Sequence, residues 1–144
     1  KQKTAYEIRN CDWSSDVCSS DLITITAFSL MCRDALAAAE ILAAEGIDAE
    51  VIDLRTIRPL DTDAIVKSVK KTNRLVSVEE GWPYAGIGAE LAATMMDKAF
   101  DWLDAPVKRV SGKDVPMPYA ANLEKLALPQ VEDIVSAAKS ICYR

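Results

Sequence analysis

From Ile23 onward, apolar residues alternate between a two-residue and a roughly four-residue spacing. Ile23-Thr24-Ile25-Thr26-Ala27-Phe28 alternates β-branched and apolar positions and predicts a strand. An Ala-rich helix is expected over 33–45, with Leu36, Ala39, Leu42 and Ala43 on one face and Gly46 ending it as a left-handed cap. Residues 49–54 predict a second strand. Residues 61–72 predict a second helix, with Ile65, Val66 and Val69 inward, Lys70 and Lys71 in its last turn, and Asn73 as its stop. A third strand over 75–78 precedes a helix over 88–103 whose Leu91, Met95, Ala99 and Leu103 share a stripe. The strand over 107–110 is shorter and more polar, so it belongs near an edge. Residues 114–128 contain Pro116, Pro118 and a short helical piece around 122–126, which suits ordered irregular chain on the surface. Pro129 opens a terminal helix that turns Val131, Ile134, Val135, Ala138 and Ile141 to the core. Strands alternating with helices of this length call for a parallel arrangement. The expected fold class is α/β, a three-layer αβα sandwich on a mostly parallel sheet of four or five strands.

Composition narrows the function. Half of the 144 residues are apolar, enough for one core. A net charge of −5 argues against nucleic acid, because phosphate binding needs clustered Lys and Arg; a partner selected by charge is a basic one. No apolar run approaches the roughly 20 residues of a membrane span, and the expectation is a soluble intracellular chain. The absence of histidine removes the commonest general base and metal ligand. Cys11, Cys18, Cys32 and Cys142 lack Cys-x-x-Cys spacing, so free thiols are expected rather than a zinc or redox site.

Three segments invite a functional reading. In Asp53-Leu54-Arg55-Thr56-Ile57-Arg58-Pro59-Leu60-Asp61, a buried strand passes through a loop with two arginines to a helix, with Pro59 biasing Arg58 toward extended geometry and Asp61 as N-cap. A well-capped turn with solvated arginines explains the run as well as a site does. Gly86-Ile87-Gly88-Ala89-Glu90 suggests an anion cradle at a helix N-terminus, but the third Gly of a dinucleotide fingerprint is missing, and a tight loop that packs the helix close to the sheet is favoured. Glu79-Glu80-Gly81-Trp82-Pro83-Tyr84 pairs two carboxylates; neighbours on a strand point to opposite faces, so an interface anchored by Trp82 is preferred to acid catalysis. Residues 114–124 are too specific in wording for filler, with two prolines flanking a Met to hold them extended, and the plain alternative is a surface strap that seals the core; Met95 and Met96 are expected to pack in the core.

The leader, residues 1–22, is polar and Ser/Asp-rich, with no sustained period. Residues 1–8 and 12–22 resemble the two halves of a sequencing-library adapter translated in frame, with Arg9, Asn10 and Cys11 where a short index is read. The expectation is a non-native or disordered leader over 1–22, with Cys11, Trp13 and Cys18 carrying no function, a folded domain over 23–144, and a natural chain that continues upstream of Ile23 with other sequence.

Taken together, residues 52–61, Val78-Glu79-Glu80-Gly81-Trp82-Pro83, Gly86-x-Gly88-Ala89-Glu90 and the stretch from Asp104-Ala105-Pro106 to Glu124 resemble the C-terminal, transketolase-like domain of the pyruvate dehydrogenase β subunit, the thiamine-dependent decarboxylating component. The likeness runs from Ile23 to the end. The Arg-Thr-Ile-x-Pro-x-Asp pattern indicates the wider superfamily, which includes branched-chain oxo-acid dehydrogenases, while Glu80-Gly81-Trp82-Pro83 and Val115-Pro116-Met117-Pro118-Tyr119-Ala120 select the pyruvate branch. Tyr84 departs from the family's Gln, and Cys32-Arg33-Asp34 from its small or apolar residues and Gly-Lys. The resemblance implies an α₂β₂ parent that binds thiamine diphosphate and Mg²⁺, decarboxylates pyruvate and acetylates the lipoyl group of the acyltransferase. It implies that cofactor and catalytic residues lie on segments without counterpart here, so that this chain holds neither and is inactive alone. It implies three partners: a second β subunit, the α subunit, and the basic subunit-binding domain of dihydrolipoyl acetyltransferase. The implied location is bacterial cytoplasm, or the mitochondrial matrix in a eukaryote. Arg55, Arg58, Glu79, Glu80 and Trp82 are the candidate interface residues. A free-standing anion- or nucleotide-binding α/β domain is the alternative outside this family.

Overall fold

The computed structural model of the chain describes residues 6–9 and 22–143. Strands β1 (Tyr6–Arg9), β2 (Leu22–Ala27), β3 (Asp48–Asp53), β4 (Leu75–Val78) and β5 (Lys108–Val110) form one sheet in the order β1-β3-β2-β4-β5. The last four are parallel, and β1 runs antiparallel on the outer side of β3. Helices α1 (Met31–Ala44) and α5 (Val131–Ile141) cover one face, while α2 (Thr62–Thr72) and α3 (Ile87–Lys98) cover the other. Helix α4 (Ala121–Ala127) is short and sits between the strap and α5. The expected α/β three-layer sandwich is the observed one. The chain order reverses between β2 and β4, which places their carboxyl ends, and the loops that follow, at the topological switch point of the sheet.

Local chemistry explains the boundaries. Helix α1 ends in a Schellman motif: Gly46 takes φ 81°, its N–H reaches the Ala43 carbonyl at 3.0 Å, and the Ile47 N–H reaches that of Leu42 at 2.9 Å. Ile47 and Leu42 are both buried, giving the motif its apolar clasp. Helix α2 opens where the Asp61 carboxylate accepts the Ala64 N–H at 3.2 Å and closes at Asn73, which is left-handed at φ 61°. At α5 the Asp133 carboxylate accepts the Gln130 N–H at 2.9 Å, and the Gln130 amide donates to the carbonyls of Lys125, Leu128 and Pro129, tying α4 to α5.

The two faces of the sheet differ in kind. Ile23, Ile25, Val51, Val76 and Val78 meet Ala35, Ala38, Leu42, Ile134 and Ala138 in a wholly apolar layer. The opposite face is apolar at β3, through Ile52 and Leu54, but β2 contributes Thr24 and Thr26 to it, both fully buried. Thr24 Oγ1 lies 2.7 Å from both Ser68 Oγ and Thr72 Oγ1, and Thr72 Oγ1 donates to the Arg74 carbonyl at 3.1 Å. A carbonyl accepts only, so the Thr72 proton is committed to it. Thr24 must then donate to Thr72, and Ser68 to Thr24. Three hydroxyls thus form one directed chain, and a buried polar core is satisfied without water.

Several expectations shift by a turn or less. The helix starts two residues earlier than expected, and the buried stripe of α1 is Met31, Ala35, Ala38, Ala39 and Leu42; Ala43 is exposed and Leu36 half-buried, because the helix packs on its Ala-rich side. In α2, Ser68 and Thr72 join Ile65 and Val69 inside while Val66 is half-buried, a polar pattern that hydrophobic spacing alone does not select. Helix α3 ends at Lys98 and a 3₁₀ turn over Phe100–Trp102 follows. Met95 is buried but Met96 is exposed, which corrects its expected packing role. Within the leader, Tyr6–Arg9 forms β1 where no regular structure was expected; the outer edge of β3 carries N–H and C=O groups that an extended backbone satisfies. Residues 1–5 and 10–21, with Cys11, Trp13 and Cys18, lie outside the described residues.

The directed hydroxyl chain sets an order of stability losses. Thr24→Val removes both an acceptor and a donor from buried partners and is expected to cost about 1–3 kcal/mol; Ser68→Ala deletes only the terminal donor and is expected to cost about 1 kcal/mol. Urea denaturation of the two variants measures both values.

Candidate functional site

Leu75, Ser77 and Glu79 lie on the α2/α3 side of the sheet, and β5 places Arg109 directly beside Ser77 in the parallel register. Glu79, just past the end of β4, is 2% exposed. Its Oε1 accepts the Gly88 N–H at 3.3 Å and Arg109 Nη2 at 3.1 Å. The same Nη2 donates to the Pro83 carbonyl at 2.6 Å. One buried carboxylate therefore joins the amino end of α3, the edge strand β5 and, through Arg109, the loop carrying Trp82. Its negative charge also faces the positive end of the α3 dipole.

The two glycines at the start of α3 exist for this contact. A Cβ on Gly86 would stand 2.6 Å from both Glu79 carboxylate oxygens, and one on Gly88 would stand 2.8 Å from Arg109 Nε and 3.0 Å from Ser77 Oγ. The close approach expected of this loop is present, and its subject is an internal anion rather than a bound phosphate. Glu79 is corrected as a surface residue: its side chain is inside the domain. Glu80, its neighbour in sequence, is half-buried.

Above this pair lies an outward apolar face. Trp82 is 58% exposed and its indole N–H donates to the Val115 carbonyl at 3.1 Å. Gly112 N–H reaches the Gly81 carbonyl at 2.9 Å and Lys113 N–H that of Ala127 at 2.8 Å, so the Trp82 loop, the strap and α4 are joined through backbone. Gly112 is required there, since a Cβ would stand 2.4 Å from the Glu80 carbonyl oxygen. Tyr84, Val115, Met117, Tyr119, Leu123 and Leu126 are all exposed. The plain alternative for the strap was to seal the core. It instead turns its apolar side chains outward, because the prolines hold it extended and backbone bonds, not side-chain burial, fasten it.

Arg55 and Arg58 are elsewhere. They follow β3, and β2 lies between that strand and β4. The Asp53 carboxylate accepts the Arg55 N–H at 3.0 Å and its Oδ2 lies 3.6 Å from Arg55 Nε; Thr56 Oγ1 donates to the Pro59 carbonyl at 2.9 Å. The Arg58–Pro59 peptide is cis and Arg58 is exposed. Asp53 also receives the Cys32 thiol at the opening of α1, and burial first, then the Asp53 charge and this hydrogen bond, push the thiol up to about 12. Among the described residues, no group of three His, Cys, Asp or Glu is placed to hold a metal ion.

Sequence reasoning missed Arg109 and Gly112. Arg109 was read only as polarity on a short edge strand, yet a cation there beside a carboxylate on the adjacent strand is the available signal. Glu79→Gln keeps the size but removes the charge that Arg109 and the α3 dipole face, and a loss of about 1–3 kcal/mol is expected in chemical denaturation. At pH 8.5 Cys32 stays protonated, so iodoacetamide labels it far more slowly than an exposed cysteine; Asp53→Asn lowers the thiol pKa and speeds the labelling, which peptide mass mapping quantifies.

Comparison with known proteins places this arrangement. Residues 15–134 match the family described as transketolase, C-terminal domain. The chain is 61% identical over 121 residues to the pyruvate dehydrogenase E1 component subunit beta of Rickettsia felis, covering 84% of this chain and 37% of that protein. It is 64% identical over 122 residues to the mitochondrial pyruvate dehydrogenase E1 component subunit beta-1 of Oryza sativa subsp. japonica, covering 85% of this chain and 33% of that one. It thus spans little more than a third of the first relative's length and a third of the second's. Among solved structures, a split gene transketolase in an inactive beta4 tetramer superposes with a TM-score of 0.73 at 30% identity, over 86% of this chain and 39% of that one. The chain belongs to the transketolase C-terminal domain family, in the branch of the pyruvate dehydrogenase E1 β subunits.

Proposed function

We propose that this domain is an assembly and docking portion of a pyruvate dehydrogenase β subunit. In that reading it pairs β subunits, meets the α subunit and docks the basic subunit-binding domain of dihydrolipoyl acetyltransferase, in bacterial cytoplasm or the mitochondrial matrix. The parent enzyme decarboxylates pyruvate with thiamine diphosphate and Mg²⁺ and acetylates the lipoyl group. The observation that carries the reading is the exposed apolar face around Trp82 and the strap, fastened through Arg109 to the buried Glu79 carboxylate. Fixed aromatic surface of this kind suits an interface, because little side-chain freedom remains to be lost on association. Glu80 contributes negative charge beside it, and the chain's net charge of −5 favours a basic partner. Arg55 and Arg58 would serve a separate patch at the end of β3.

The cofactor of the parent does not fit the residues described here. The loop nearest in form to a diphosphate cradle, Gly86–Gly88, already has the Glu79 carboxylate against it, so a diphosphate would meet both steric and charge opposition. The same observation weighs against a free-standing nucleotide-binding domain. We accordingly assign the chain no step of the thiamine chemistry and expect no turnover of pyruvate by it alone.

Titration of the chain with the isolated subunit-binding domain of the acyltransferase tests docking. Saturable binding is expected, weakening as sodium chloride rises from about 0.05 to 0.5 M, where the Debye length falls severalfold. Trp82→Ala is expected to reduce affinity by about 2 kcal/mol while leaving the denaturation midpoint nearly unchanged. Absent binding, or binding indifferent to salt, contradicts the docking role.

A further inference from the structure

We propose that the outer edge of β5 is a docking groove for an extended acidic peptide segment. β5 is last in the sheet order, so β4 satisfies one side of it only. The Glu79 N–H donates to the Val110 carbonyl at 3.0 Å, which fixes Val110 facing β4; by strand alternation the N–H and C=O of Arg109 point outward. Along that edge runs a cleft of about 570 Å³ between the strand, α4 and α5, lined by Lys108, Ser111, Lys113, Lys125, Leu126 and Ala137 among others.

Charge identifies the occupant. In a chain where 22 Asp and Glu outnumber 17 Lys and Arg, the cleft gathers Lys108, Lys113 and Lys125, all exposed and none in an ion pair among the described residues. The carboxylate that lines it, Asp133, is engaged by the Gln130 N–H. Arg109 is turned to the other side of the strand, toward Glu79. An extended segment laid on β5 would exchange main-chain hydrogen bonds with the outward groups of Arg109, and its alternate acidic side chains, on the face turned toward α4 and α5, would reach the lysines. A free strand edge beside lysines is also a usual defence against self-pairing. The cleft supplies what that defence lacks, namely a bounded groove between the strand, α4 and α5. The groove does not rest on the subunit partners proposed above, although Leu126 borders both surfaces.

Fluorescence anisotropy with the full chain and a labelled, acetylated octapeptide of alternating Glu and Val is the test. Saturable binding is expected, about tenfold weaker for the Gln-Val peptide and for the chain carrying Lys108→Glu, Lys113→Glu and Lys125→Glu together. Methylating the peptide's alternate amides should abolish it, and Lys67→Glu on α2, which makes a single charge reversal away from the groove, should leave it unchanged. Lys113→Glu alone gives a smaller loss and serves should the triple variant misfold. No saturable binding, equal binding of the Gln-Val or methylated peptide, or a loss from Lys67→Glu as large as from Lys113→Glu overturns the proposal.

Discussion

A carboxylate removed from water must be compensated where it sits, and Glu79 imposes that requirement on three elements at once. It needs the amino end of α3 close enough to donate an N–H, hence glycine at 86 and 88. It needs a guanidinium from β5, hence Arg109 in register with Ser77. Arg109 in turn has a donor to spare for Pro83, which ties down the loop bearing Trp82. Features that look separate along the chain, a paired-acid motif, a Gly-x-Gly turn and a polar edge strand, are one electrostatic unit.

The unit also separates the domain from the nucleotide-binding folds it superficially resembles. A helix N-terminus after a strand at a switch point is the ordinary place for a phosphate. Here the protein fills that position with its own anion, and what remains exposed is an aromatic and proline-rich surface. An outward Trp82, Tyr84 and strap make sense on a domain whose relatives are much longer and, in one solved case, tetrameric.

Much of the fold was legible because the signals were local: alternation in β2, the Gly46 cap, the Asp61 cap and Asn73 stop all act within a few residues. What escaped was non-local. Ser68 and Thr72 look like solvated helix positions until Thr24 is placed opposite them, and Glu79 looks like surface until Arg109 arrives from a strand thirty residues away. The direction of the strap's side chains escaped for a related reason. Prolines and aromatics predict ordered chain equally well whether the side chains turn in or out, and here the direction is set by backbone bonds at Gly112 and Lys113. Trp82 was marked by its residue type, and the structure places it exposed beside the strap, its indole N–H on the Val115 carbonyl.

The Glu79–Arg109 pair holds both the start of α3 and the Trp82 loop. Hydrogen exchange of the Gly88 amide and the Trp82 indole N–H in Arg109→Gln, read by NMR against the amides of β2, tests it most directly. Exchange faster by about tenfold or more is expected at both positions, with the β2 amides unchanged, as a local opening requires. Unaltered exchange at Gly88 and Trp82 would contradict it.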